Sequence, residues 1–440
     1  MFFPAISGWD FFALDGSIPA MTSILIKGGS IITENGPVRA DILKVDGVIT
    51  KVGVVEDTAD EVIQALGYII FPGLIDCHVH FREPGYEHKA TMKSEAASAR
   101  AGGVTCVCDM PNTDPPTVTI SALSDKVRRA SEVTDCDIRF FFGVTSAIHL
   151  ATLKDLWVST SDELIALKAY CCGVKLYFDH STGDQKIEEE LIETVFEACA
   201  ELNIPIIAHC EDPQVNTEAA KANIDEDVAA HSIIRPTKSE AKSIKKALAL
   251  VAQFGTAFHV AHLSSKRGLE FVAKAKEEGL PVTCEVAPHH LVLSTLDYKK
   301  LGTLCKMNPP VRSVSDNEAL WQGIEDGTID CVATDHAPHT LEEKQAGKPL
   351  DAPSGVPGVE TALSILLTRL QPETIHKLMF ENPNRIFDLG KQGLVVGSDA
   401  DIVIVDPTVK RQIHAADLHS KCDWTPFEGK EVRGEVIRVV

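Results

Sequence analysis

Apolar residues along this chain fall into short runs separated by longer amphipathic stretches, and the alternation predicts most of its elements. Near the start, Ile24 to Ile26, Ala40-Asp-Ile-Leu-Lys-Val45 and Val48-Ile-Thr-Lys-Val52 read as short strands bounded by glycine or polar turns, which suggests a small sheet. The far end repeats the style in Ala400-Asp-Ile-Val-Ile-Val-Asp406 and Glu431-Val-Arg-Gly-Glu-Val-Ile-Arg-Val-Val440. Two terminal β regions of this kind can pair into one domain.

Between them, strands alternate with helical stretches. Strands are expected over Val104 to Cys108, Ile138 to Val144, Gly173 to Phe178, Pro205 to His209, Ala257 to His262, Val282 to Val286 and Cys331 to Thr334; with the strand that ends in His78 they make eight. Helical patterns over Lys93 to Ala101, Ile187 to Leu202, Glu240 to Gln253 and Gly268 to Glu278 fill the gaps. Strand and helix in alternation imply a parallel sheet, and the (β/α)8 TIM-like barrel is its natural closure. An open doubly wound sheet is the alternative, but no Gly-x-Gly-x-x-Gly follows an early strand. The expected class is therefore α/β. Its expected divisions are an N-terminal extension over 1–21, a composite β-sandwich domain from 22–71 and 389–440, and a catalytic barrel over 72–388.

Composition narrows the function classes. The 440 residues carry a formal charge of -21 with 44% hydrophobic residues, an ordinary globular balance without a basic tract for nucleic acid or anionic membrane. No apolar run has the length of a membrane helix, and Asp10 and Asp15 interrupt the apolar patches before Met21, so a secretory signal is not expected. Twelve cysteines, several inside strand-like runs, read as reduced core thiols, and the expected compartment is the cytoplasm.

The chemistry begins at Phe71-Pro-Gly-Leu-Ile-Asp-Cys-His-Val-His-Phe-Arg82. In an extended strand, side chains two apart share a face, so His78 and His80 can turn toward one cation. Lys175, His209, His262 and Asp335 each end, or lie within, another apolar run. In a barrel those strand ends converge on one mouth. Four histidines, a lysine and an aspartate there make a candidate pair of metal sites. A protonated lysine suits two cations poorly, whereas a buried neutral amine can add carbon dioxide and become a bridging carbamate.

The motifs in full are Asp76-Cys-His-Val-His-Phe-Arg-Glu-Pro-Gly85, Asp109-Met-Pro-Asn-Thr113, Lys175 with Ser181-Thr-Gly-Asp184, Ala208-His-Cys-Glu-Asp212, His231-Ser-Ile-Ile-Arg-Pro236, His259-Val-Ala-His262, Asn308-Pro-Pro-Val-Arg312 and Thr334-Asp-His-Ala-Pro-His339. On these the chain resembles the cyclic amidohydrolases of the metal-dependent amidohydrolase superfamily, and most nearly their dihydroorotase family. The resemblance covers nearly everything after Met21.

The resemblance implies that His78, His80 and Asp335 hold one metal, His209 and His262 a second, and carbamylated Lys175 bridges both. Zinc is the expected ion, and the imidazole and carboxylate donors agree with it. The implied reaction is the reversible hydrolysis of dihydroorotate to N-carbamoyl-aspartate in pyrimidine biosynthesis, through a hydroxide bridging the ions, with Asp335 as general base and then general acid. Arg82, Asn112 and His339 are implied to clamp the substrate carboxylate, Asn308 to face the polar edge of the ring, and Gly355 to offer backbone groups. A small-molecule substrate, a homo-oligomer (dimer or tetramer) and an association with aspartate transcarbamoylase are also implied. Two other readings are weighed: an allantoinase or dihydropyrimidinase, and an inactive homologue serving as an assembly partner. Arg82 after His-x-His and the Met-Pro-Asn-Thr segment favour the carboxylate-bearing substrate over the first. All six expected ligands are present, which favours an active enzyme over the second. The segment from Thr340 to Pro357, rich in Gly, Pro, Lys and Glu, is expected to be either a loop over the mouth or a solvated connector.

Overall fold

The protein is described by a computed structural model covering residues 22–180 and 185–440. The expected extension over 1–21 and the motif residues Ser181-Thr-Gly-Asp184 lie outside the described residues. The first strands, β1 (Ser23–Thr33), β2 (Gly36–Val45), β3 (Val48–Gly53), β4 (Glu61–Gln64) and β5 (Ile69–Pro72), form an antiparallel and parallel mixture around β1. A register shift between Ile26 and Gly29 divides β1, so that its first half pairs with β4 and its second with β5.

Eight parallel strands follow: β6 (Leu74–Val79), β7 (Val104–Asp109), β8 (Asp137–Gly143), β9 (Cys171–Tyr177), β10 (Ile206–His209), β11 (Phe258–Val260), β12 (Val282–Val286) and β13 (Cys331–Val332). They pair in sequence order. A parallel bridge from Val79 to His336, with the amide of His80 donating to the His336 carbonyl at 2.8 Å, brings the two edges together. The fold is a TIM barrel. Its strands are buried on both faces, because helices such as Met92–Ala101, Thr237–Phe254 and Lys266–Glu277 cover the outside. The first and third of these start where the sequence offers caps: Thr91 and Ser265 accept from backbone amides of the first turn.

The last strands, β14 (Ile402–Gln412) and β15 (Glu431–Val439), return to the first sheet, β14 pairing with β5. Both chain ends thus build the small β-sandwich domain, around Ile26, Ile31, Ile42, Ile49, Ile70, Ile402 and Ile404. Between β14 and β15 the chain leaves the sheet and packs on the barrel mouth, where Trp424 and Phe427 join Met307, Val311 and Val356 in one apolar cluster. All twelve cysteines are unpaired, and all but Cys171 are buried. Among the described residues no helix is long and apolar enough to cross a membrane.

Candidate active site

The expected residues arrive at one mouth from separate strands. His78 is the penultimate residue of β6 and His80 follows the strand, Lys175 lies in β9, His209 ends β10, and His262 and Asp335 stand just beyond β11 and β13. His262 and Asp335 adopt left-handed backbone angles, φ 33° and 47°, as does Arg82 at 67°. Such angles cost non-glycine residues about 1–3 kcal/mol and concentrate at functional sites. Here they turn the chain sharply as it leaves a strand.

His78, His80 and His209 each have one nitrogen held and the other presented, whereas His262 presents Nε2 and its Nδ1 has no partner among the described residues. His78 gives Nδ1 to Glu285 Oε1, while its Nε2 stands 3.4 Å from both Asp335 Oδ1 and Lys175 Nζ. His80 donates from Nδ1 to Asn112 Oδ1 at 2.6 Å and turns Nε2 to Asp335 Oδ1 at 2.9 Å. His209 Nε2 lies 2.8 Å from Glu211 Oε2, which leaves Nδ1 3.1 Å from His262 Nε2. An oxygen on one imidazole nitrogen fixes the tautomer and aims the other lone pair, the arrangement metal-ligating histidines use.

Electrostatics agree with that use. Burial pulls His80 down to about 4 against the pull of Asp335, and it lowers His209 and His262 as well, so these rings are neutral near pH 7. Burial pushes Asp335 upward, but His78, His80 and His289 outweigh it and hold the carboxyl well below the usual range. Lys175 is lowered to about 8 by burial, opposed by Glu285 and Asp335. Neutral imidazoles and an ionised carboxylate are the states in which these groups bind metal. The donor set therefore fits divalent cations.

On the other side of the cleft, Arg82 is buried, with Nε donating to the Pro338 carbonyl at 2.9 Å and Nη2 3.1 Å from His339 Nε2. It does not pair with Glu83, whose carboxylate takes Arg129 instead. Asn112, Asn308, Ser354 and Gly355 line the cleft with Arg82 and the six expected ligands. A Cβ on Gly355 would stand 2.6 Å from the Ala337 carbonyl, so the backbone approach there requires glycine. His339 does not reach the cleft wall. It sits behind Arg82, with Nδ1 3.0 Å from Lys89 Nζ.

The stretch from Thr340 to Pro357 is not a solvated connector. It carries a helix, Leu341–Gln345, capped by Thr340, and fully buried Lys344 donates to the carbonyls of Lys306, Pro353 and Gly355 at 2.9, 2.9 and 3.0 Å. Hydrophobic periodicity misses this packing because a lysine makes it, its three donors matched to three carbonyls.

Several neighbours of these residues carry no role in the sequence reading: Glu285 lies in an expected strand, and Glu211, His231 and Asp76 lie within the motifs. Glu285, a carboxylate inside the apolar run Val-Thr-Cys-Glu-Val, carries His78, and that misplaced charge was its only signal. Glu211 carries His209 and is itself held by Arg235. His231 donates from Nε2 to Asn308 Oδ1 at 2.9 Å. Asp76 accepts from the amides of His78 and Thr334 and so ties β6 to the segment that follows β13, next to the expected ligands His78 and Asp335.

A parallel barrel that brings four imidazoles, a lysine and a carboxylate to one mouth defines a metal-dependent hydrolase. Residues 69–440 match the model of the amidohydrolase family. The chain is 43% identical to the dihydroorotase of Halobacterium salinarum over 368 residues, 82% of each protein. It is 38% identical to that of Methanosarcina mazei, over 95% of this chain and 94% of the relative. Among solved structures it resembles the L-hydantoinase (dihydropyrimidinase) of Arthrobacter aurescens, with a TM-score of 0.88, 28% identity, and 95% and 94% of the two chains covered. The chain belongs to the amidohydrolase family and, within it, to the dihydroorotases. It is a hydrolase of cyclic amides.

Proposed function

We propose that the chain interconverts dihydroorotate and N-carbamoyl-aspartate, in the cytoplasm and as a step of pyrimidine biosynthesis. One observation carries the substrate: Arg82 is a buried cation beside the candidate ligands whose hydrogen bonds go to a carbonyl and an imidazole rather than to a carboxylate. A buried charge with no carboxylate in contact among the described residues is costly, so the site is suited to an anionic group supplied by the ligand. The carboxylate of dihydroorotate meets that need, and a guanidinium matches its geometry.

In this reading His78, His80 and Asp335 would hold one zinc ion and His209 and His262 the other, with a carbamate on Lys175 as a ligand they would share. When bound, such ions supply a hydroxide near neutral pH and polarise the scissile carbonyl. The chain's own residues do the rest. Asp335, kept ionised by the surrounding imidazoles, accepts the proton released during attack and returns it to the departing ring nitrogen. Arg82 and Asn112 fix the substrate carboxylate, with His339 bracing Arg82 from behind. Asn308, held by His231, and the backbone at Ser354 and Gly355 orient the ring. The barrel over 72–388 is the catalytic unit, and 22–71 with 389–440 the composite domain. A homo-oligomer, dimer or tetramer, and association with aspartate transcarbamoylase belong to the same reading.

The likeness to hydantoinase structures keeps an uncharged cyclic ureide as the second reading. Metal-quantified protein assayed with dihydroorotate, hydantoin and allantoin side by side separates the two. Turnover of dihydroorotate is the expected result, and turnover of only an uncharged ureide overturns the proposal.

A further inference from the structure

Beneath the mouth lies a second group of ligand-type side chains, none of them among the six expected ligands. Cys77, His259 and Glu285 present one atom each, all within 4.8 Å of one another, and all three residues are buried. Glu285 divides its oxygens. Oε1 serves His78 Nδ1 and the amide of His262, whereas Oε2 faces Cys77 Sγ at 3.5 Å and His259 Nε2 at 3.2 Å. A register shift between Asp76 and Val79 on β6 lets the adjacent Cys77 and His78 both reach this one carboxylate.

We propose that Cys77, His259 and Glu285 bind a third divalent cation of borderline-soft character, with zinc as the natural occupant. Tetrahedral zinc, with Zn–S of about 2.3 Å and Zn–N and Zn–O of about 2.0–2.1 Å, sets S···O near ~3.5 Å and N···O near ~3.3 Å. The two separations on the page are 3.5 and 3.2 Å. His259 is oriented as a ligand should be, its Nδ1 2.7 Å from Thr283 Oγ1 and its Nε2 turned inward. Thiolate and carboxylate together cancel the charge of a divalent ion, which lowers the cost of placing one in a buried layer. Binding forms the metal–sulfur bond, breaks the S–H bond and releases one proton to solvent. Through Glu285 the ion is one carboxylate away from His78, so its occupancy is felt at the catalytic centre.

The test reads sulfur ligation, which none of the six mouth ligands can supply. Holoenzyme exchanged with cobalt(II) is expected to show a near-ultraviolet sulfur-to-cobalt charge-transfer band that is lost in Cys77→Ser. Absence of the band in folded wild-type protein, or its survival in Cys77→Ser, overturns the proposal. X-ray absorption on the zinc-loaded wild type keeps the test decisive should Cys77→Ser fail to fold. A sulfur shell near ~2.3 Å is the expected result, and a shell of nitrogen and oxygen alone refutes the site. Both readouts are independent of the substrate, so they can fail while the dihydroorotate assay succeeds.

Discussion

Trp424, on the C-terminal segment between β14 and β15, donates its indole Nε1–H to the carbonyl of His339 at 2.7 Å. The composite domain thereby reaches the residue that braces Arg82. Trp424→Phe keeps the ring but leaves that buried carbonyl unpaired, at a cost of about 1–3 kcal/mol. The expected outcome is a rise in KM for dihydroorotate of up to about tenfold with metal content unchanged. Steady-state kinetics beside metal analysis check it, and an unchanged KM removes the C-terminal segment from substrate binding.

Arg82→Gln removes the only charge proposed to meet the substrate carboxylate. KM for dihydroorotate is expected to rise on the order of 10²-fold or more, as for loss of one partner in a buried charged pair. Bound metal should stay stoichiometric, because the hydrogen bonds of Arg82 go to Pro338 and His339 and to none of the expected ligands. A variant that loses metal and substrate affinity together would place Arg82 in the metal site instead.

Lys175→Ala tests the bridge. Loss of metal and of turnover is expected, with partial recovery on adding short carboxylates such as acetate or propionate that can occupy the vacated position. Full activity in the variant without additives would refute the carbamate.

Glu211→Gln tests the orientation of His209. The amide can still accept from Nε2, but it no longer supplies the charge that strengthens the ligand, and metal affinity is expected to fall about 10–100-fold. Competition with a chromophoric chelator measures this. Because Arg235 also rests on Glu211, thermal stability should be recorded on the metal-free form to separate the two effects.

Asp137, at the start of β8, ties Arg139 and Lys391 together. Burial raises its pKa, but these two cations outweigh burial and the net shift is downward. A carboxyl depressed in the fold contributes stability that is fully present above its unfolded value near ~3.9 and is lost as pH falls through the folded value. Asp137→Asn should therefore cost about 1–3 kcal/mol at pH 7, with the gap closing below about pH 4. Urea titrations at the two pH values provide the comparison, and a gap independent of pH would mean that the loss is one of packing rather than charge.

Strand and helix alternation, and the two β-rich ends, were legible in the chain because both depend on local periodicity: period two at the termini, and continuous apolar runs where helices cover both faces. The identities of His78, His80, Lys175, His209, His262 and Asp335 were legible for the same reason, as polar residues closing apolar strands. Their partners were not. Glu285, Glu211 and His231 act across strand and loop boundaries, and whether a carboxylate holds an imidazole depends on which strands are neighbours and in what register. Tertiary structure alone decided that His339 stands behind Arg82, that Lys344 packs among carbonyls, and that Cys77 and His78 share one carboxylate. A strand pattern assigns a side chain to a face, but only closure of the barrel sets what lies across from it.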